Sequence, residues 1–254
     1  MGLSRHIENV KAVERVAYAI GLLLILSGLV HLAVLLVGGG SWEGPLSLRK
    51  PTTFGLSFGL TLINVTLVAS FVALRDRSRT LLIGTFTAAC GVETFLVSMQ
   101  AWRGVPSHFN METPFDAAVA QALAFGGVTL VVVIVILAVR AFRDRARLPR
   151  GLRLAIPAGL AALVGAQVAG AAMIATGVRL VVRGDPQRAY ATGGWLKPAH
   201  AALMHGILVL PLLAWWVSAT DWDERTQTRA VWTGIALYAV VVAGAVVVSV
   251  LGRA

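Results

Sequence analysis

Seven apolar runs, each near the ~20 residues that carry a helix across a ~30 Å hydrocarbon core, constrain this 254-residue chain more than any other feature. They lie near Val16 to Val37, Pro51 to Leu74, Leu81 to Trp102, Ala117 to Val139, Leu154 to Val178, Pro198 to Val217 and Ala230 to Leu251. The runs show no apolar-polar alternation, which argues against a barrel, and Pro157 and Pro211 are compatible with bundled membrane helices. Composition agrees: 57% of residues are hydrophobic, 13% are charged and the mean hydropathy is +0.78, which excludes a soluble enzyme. The single Cys90 leaves no disulfide within one copy. The fold expected is a single all-α integral membrane domain over residues 1–254, a seven-transmembrane helix bundle.

The net charge of +10 reflects topology rather than nucleic-acid binding, because the basic residues stand mostly between the runs. Fourteen Lys and Arg fall on the side of the N-terminus and the second, fourth and sixth loops, and eight on the other. Cytoplasmic loops collect such residues, so the N-terminus is predicted inside and the C-terminus outside. The run Arg140 to Arg153 reads as an inner anchor that attracts anionic lipid. Residues 1–15 read as a cytoplasmic lead-in, with Ile7, Val10 and Val13 on one face of a short surface helix. The first run is too long for a signal peptide and is read as retained. Leu48-Arg49-Lys50-Pro51 and Trp195-Leu196-Lys197-Pro198 open the second and sixth runs alike, which suggests a 3+1+3 parallel repeat.

Ionisable groups inside a bilayer cost ~2.5–3.5 kcal/mol near its centre, so each is a functional candidate. Glu93 stands deepest, and Cys90, Glu93 and Gln100 share one face of the third helix. That stripe should face the bundle interior, where Glu93 would be a catalytic acid or a proton carrier. His31, His108, His200 and His205 all fall in the outer half, the placement a shared haem or transition-metal site requires, with His31 and His205 able to bracket a haem. His200 and His205 are five apart, about 140° around a helix, so any shared site must form across helices. Ser57, Thr61 and Asn64 form a second polar stripe. Lys50 and Lys197 open two helices, where unpaired N-H groups and an added cation suit a carboxylate, phosphate or lipid headgroup. Thr113 and Pro114 read as the cap and first residue of the fourth helix, with Asp116 meeting its N-H groups. Ser107, His108 and Asn110 are then left to fold over the outer mouth.

The Ser107-His108-Phe109-Asn110 segment, with Ala199-His200 and His205, resembles an uncharacterised group of bacterial multi-pass membrane proteins. That resemblance implies a bacterial cytoplasmic membrane location and no particular activity. The residues themselves favour a haem- or metal-dependent membrane oxidoreductase, with Glu93 moving protons. Three other readings stay open: a small-solute or proton-coupled transporter, a cofactor-free acid-catalysed enzyme acting on a lipid or isoprenoid, and a structural or assembly protein. The bilayer is the expected partner, with a lipophilic or anionic small molecule at Gln100, Asn110, Ser57, Asn64, Lys50 and Lys197, and no nucleic acid.

Overall fold

The computed structural model describes residues 10–148, 151–192 and 194–252. Arg5, Ile7, Arg150 and Arg253 lie outside the described residues, and so does most of the expected lead-in. Within them the chain is all-helical: α1 (Ala12–Val37), α2 (Arg49–Phe71), α3 (Asp76–Trp102), α4 (Pro114–Arg143), α5 (Leu152–Val182), α6 (Pro186–Thr192), α7 (Lys197–Ser218) and α8 (Glu224–Leu251). Seven of these are long and apolar enough to cross a membrane. Most begin before the apolar runs do, α8 by six residues (Glu224 against Ala230), because polar first turns satisfy helix starts through caps such as Asp223, which accepts from the Thr226 N-H at 2.8 Å. The second run ends early, with α2 stopping at Phe71 and Val72 already extended. Neither the short α6 nor a turn of 3₁₀ helix at Arg145–Arg147 has an apolar run to announce it.

Helices α2, α3, α4, α5 and α7 form a ring that closes where α2 meets α7. Outside it, α1 packs on α2 and α3, and α8 on α7 and α5. Lipid tails are as apolar as leucine, so burial alone cannot hold such helices together; close packing and polar ties must. On the α1–α2 crossing a Cβ on Gly55 would lie 2.6 Å from both the Gly28 N and the Leu24 O, so the two backbones touch where neither helix carries a side chain. The α5–α7 crossing is similarly tight at Gly159 and Gly206. Phe86, Leu62, Ile83, Ile134, Leu163 and Ile207 fill the centre.

The start of α1 and the start of α3 share one end, called here the near end, where Lys11 pairs with Asp76. The starts of α2 and α7 share the far end. At the near end Arg79 of α3 donates to Glu14 of α1 at 2.9 Å, to the Ala69 O at 3.0 Å and to the Val72 O at 3.2 Å. Glu14 is 2% exposed and Arg79 7%. One buried guanidinium thus pairs an acid and caps the C-terminal carbonyls of α2, where a cation is favoured. Separation hid this tie in the sequence, since 65 residues part the two groups and Arg79 stood among the loop arginines. Glu93 is therefore not the sole buried acid.

Candidate functional site

The far end gathers polar groups from five elements. Thr113 caps α4 as expected, accepting from the Asp116 N-H at 3.1 Å, with Pro114 first in the helix. The Asp116 carboxylate does not turn to helix N-H groups. It accepts instead from Gln100 Nε2 at 2.8 Å, Arg103 Nη1 at 2.6 Å and Thr113 Oγ1 at 2.7 Å, a satisfied knot that locks α3 to α4. Gln100, wholly buried, also accepts from Arg103, whose guanidinium stacks 4.7 Å from the Phe115 ring centroid. Gln100 is thereby a structural tie within the site.

Residues 103–113 fold over the mouth of the ring. Phe109 holds the left-handed conformation (φ 63°), uncommon for a bulky residue, and its ring lies on the bare Gly177 of α5. Turning Phe109 that way places Asn110, fully buried, with its Oδ1 accepting from the Glu112 N-H at 3.0 Å and its Nδ2 without a partner. His108 sits between the Phe54 and Phe109 rings, with centroids 5.8 and 6.1 Å away, and its Nδ1 meets Ser107 Oγ at 3.0 Å. Burial, together with the Lys50 charge, pushes the His108 imidazolium well below its ordinary range, so the ring is neutral.

Beside His108, Lys50, Lys197 and Arg49 stand close enough for Lys50 to feel the charge of both. Arg49 has partners, donating to the Trp42 O at 2.9 Å and lying 3.8 Å from Glu43. Neither lysine makes an ion pair among the described residues. The expected free N-H groups at these two helix starts are absent. At α2 the Arg49 N-H donates to Ser47 Oγ, Lys50 to the Ser47 O and Thr52 to the Leu48 O. At α7 the Ala199 N-H donates to Ser249 Oγ of α8, and His200 to the Leu196 O. Proline fills the remaining position in each first turn. Attraction for an anion therefore comes from the lysine side chains and not from the helix ends.

The four histidines do not gather. His31 uses both ring nitrogens: Trp102 Nε1 can only donate, so His31 Nε2 accepts at 3.0 Å and Nδ1-H donates to the Ser27 O at 2.7 Å. His200 Nδ1-H donates to the Ala166 O of α5 at 2.8 Å, and His205, exposed on the bundle surface, donates to the Ala201 O at 2.7 Å. Histidines find carbonyls one turn back or on the next helix more readily than they find each other. As placed, His31 therefore has no ring nitrogen left to share a haem iron with His205. Among the described residues no three His, Cys, Asp or Glu side chains stand together as metal ligands do.

In the middle of the bundle, Cys90 and Glu93 are buried on α3, Glu93 at 4% exposed. Its carboxylate lies across Gly126 of α4, and Oε1 has no hydrogen-bond partner. Between it and the Asp116 knot, Val97, Val119 and Leu123 close the α3–α4 seam. Asn64 donates to its own helix at the Leu60 O, 2.7 Å away, while on α2 Ser57 is half-buried and Thr61 buried. No family model matches the chain, and no curated protein or solved structure matches it.

Proposed function

We propose that this chain is a membrane protein that binds a small anion, or the anionic head of an amphiphile, at its far end. The observation that supports this most is the meeting of Lys50, Lys197 and Arg49 with no ion pair to either lysine among the described residues, Glu43 being paired with Arg49 and acting on Lys197 only at longer range. Like charges so placed destabilise a fold unless an anion joins them. Neutral His108 and the unpartnered Asn110 Nδ2 add hydrogen-bonding groups under the same loop, and the Phe54 and Phe58 rings, 5.2 Å apart on α2, offer apolar surface for a tail. The excess of basic residues at the near end favours an arrangement in which the far end faces outward, in a bacterial cytoplasmic membrane, and the matching Lys-Pro starts of α2 and α7 favour a 3+1+3 repeat. Binding in place of free conduction agrees with the apolar packing of the near half. The histidine-based redox reading is not carried forward, because His31 spends both ring nitrogens on Trp102 and Ser27 and no three ligand side chains stand together among the described residues.

Thermal unfolding of the purified protein tests this, with inorganic phosphate, dodecyl phosphate and dodecanoate added separately. Ligand at about 100 times its Kd adds about 2.7 kcal/mol of stability, a readily visible rise in Tm. Stabilisation by phosphate alone identifies a free anion, and stabilisation only by the dodecyl compounds an amphiphile. Either must vanish in Lys50→Gln. No response to any of the three overturns the proposal.

A further inference from the structure

We propose that Glu93 is a proton-binding site reached from the hydrocarbon side of the bundle, through the notch that Gly126 and Gly127 leave in α4. Glu93 is buried, its Oε1 has no partner, and its carboxylate is aimed at Gly126, where a side chain on α4 would collide with it. Beside Gly126, a Cβ on Gly127 would meet nothing within 4 Å, so the seam is open at that point. Among the described residues the surroundings offer Glu93 no cation. On its own helix the nearest titratable group is Cys90. Helix α4 carries Asp116 ten residues from Gly126, already held by Gln100, Arg103 and Thr113, and then no charge before Arg140. Arg49 and Lys50 are the charges of α2, both at its far end, and α1 brings His31, occupied by Trp102, with Glu14, occupied by Arg79, the exposed Arg15 and Tyr18 beside Glu14, all three at its near end. A carboxyl so placed exchanges a proton as its ligand and cannot be a member of an ion pair. This stands independently of the far-end lysines.

An apolar carbodiimide tests it on the full chain in lipid nanodiscs. The acid's proton passes to one carbodiimide nitrogen, the carboxylate oxygen adds to the central carbon, and an oxygen-to-nitrogen acyl shift leaves a stable N-acylurea; nothing departs, so the peptide gains the whole reagent mass. Dicyclohexylcarbodiimide is expected to label Glu93, with labelling that declines as pH rises and is absent in Glu93→Gln. A water-soluble carbodiimide is expected to label it roughly tenfold more slowly, and Gly127→Leu, which fills open space without touching the core, to slow the apolar reagent by a similar factor. Absence of label at Glu93 in folded protein, labelling indifferent to pH, or equal rates for the two reagents would each overturn the proposal.

Discussion

Glu14 and Glu93, two of the buried acids of this bundle, are treated in opposite ways. At the near end Glu14 receives the Arg79 guanidinium and the Lys11 N-H, and the arginine also closes the carbonyl end of α2, so three helices are tied at one point. Mid-bundle, Glu93 receives no cation, and one of its oxygens has no hydrogen bond at all. The far-end lysines resemble Glu93 in this, being ionisable groups that make no ion pair among the described residues. Glu14 has its charge answered within the fold, and Glu93 is left as a group available to something outside the chain.

Substitutions break this contrast at known points. The largest loss is expected for Arg79→Ala, which strands the buried Glu14 and uncaps α2 at a cost of about 3–5 kcal/mol in unfolding measurements. The double change Glu14→Leu with Arg79→Leu should recover most of it, since removing both charges removes the desolvation cost as well. Next comes Gly59→Leu, whose first side-chain atom would meet the Gly21 O at 2.5 Å and prise α1 from α2, for about 1–3 kcal/mol. Smaller still is the pH dependence set by His108. Because its folded-state value lies below its unfolded one, the unfolded chain takes up a proton near pH 6.5 that the folded chain refuses. Stability therefore falls as pH drops below about 6.5, until the folded ring protonates too, and His108→Gln should flatten that slope while changing stability at neutral pH by less than about 1 kcal/mol.

How much of this was legible in the sequence depends on the range of each interaction. Length and hydropathy located all seven long helices, because a membrane span is a local property of about twenty residues. The α4 cap was equally local, with Thr113 and Asp116 three apart. The Glu14–Arg79 tie was not, and Arg79 among Arg75 and Arg77 looked like any loop arginine. The histidines show a related limit. Depth along a helix can be counted from the sequence, but side-chain partners across helices cannot, and His31 spends its ring nitrogens on Trp102 of α3 and on Ser27 one turn back. Lys50 and Lys197 were brought together by the α2–α7 contact, while the N-H groups expected beside them had already been taken by Ser47, by Ser249 and by backbone carbonyls.

The most direct measurement compares the unfolding of the wild type with that of Lys50→Gln combined with Lys197→Gln, with no ligand added and then with the anion that stabilises the wild type. If these lysines are kept for a ligand, the double variant unfolds at or above the wild-type temperature when ligand is absent, because a repulsion has been removed, and it gains nothing from the anion. A variant that unfolds several degrees lower without ligand, or that the anion still stabilises fully, would contradict the account.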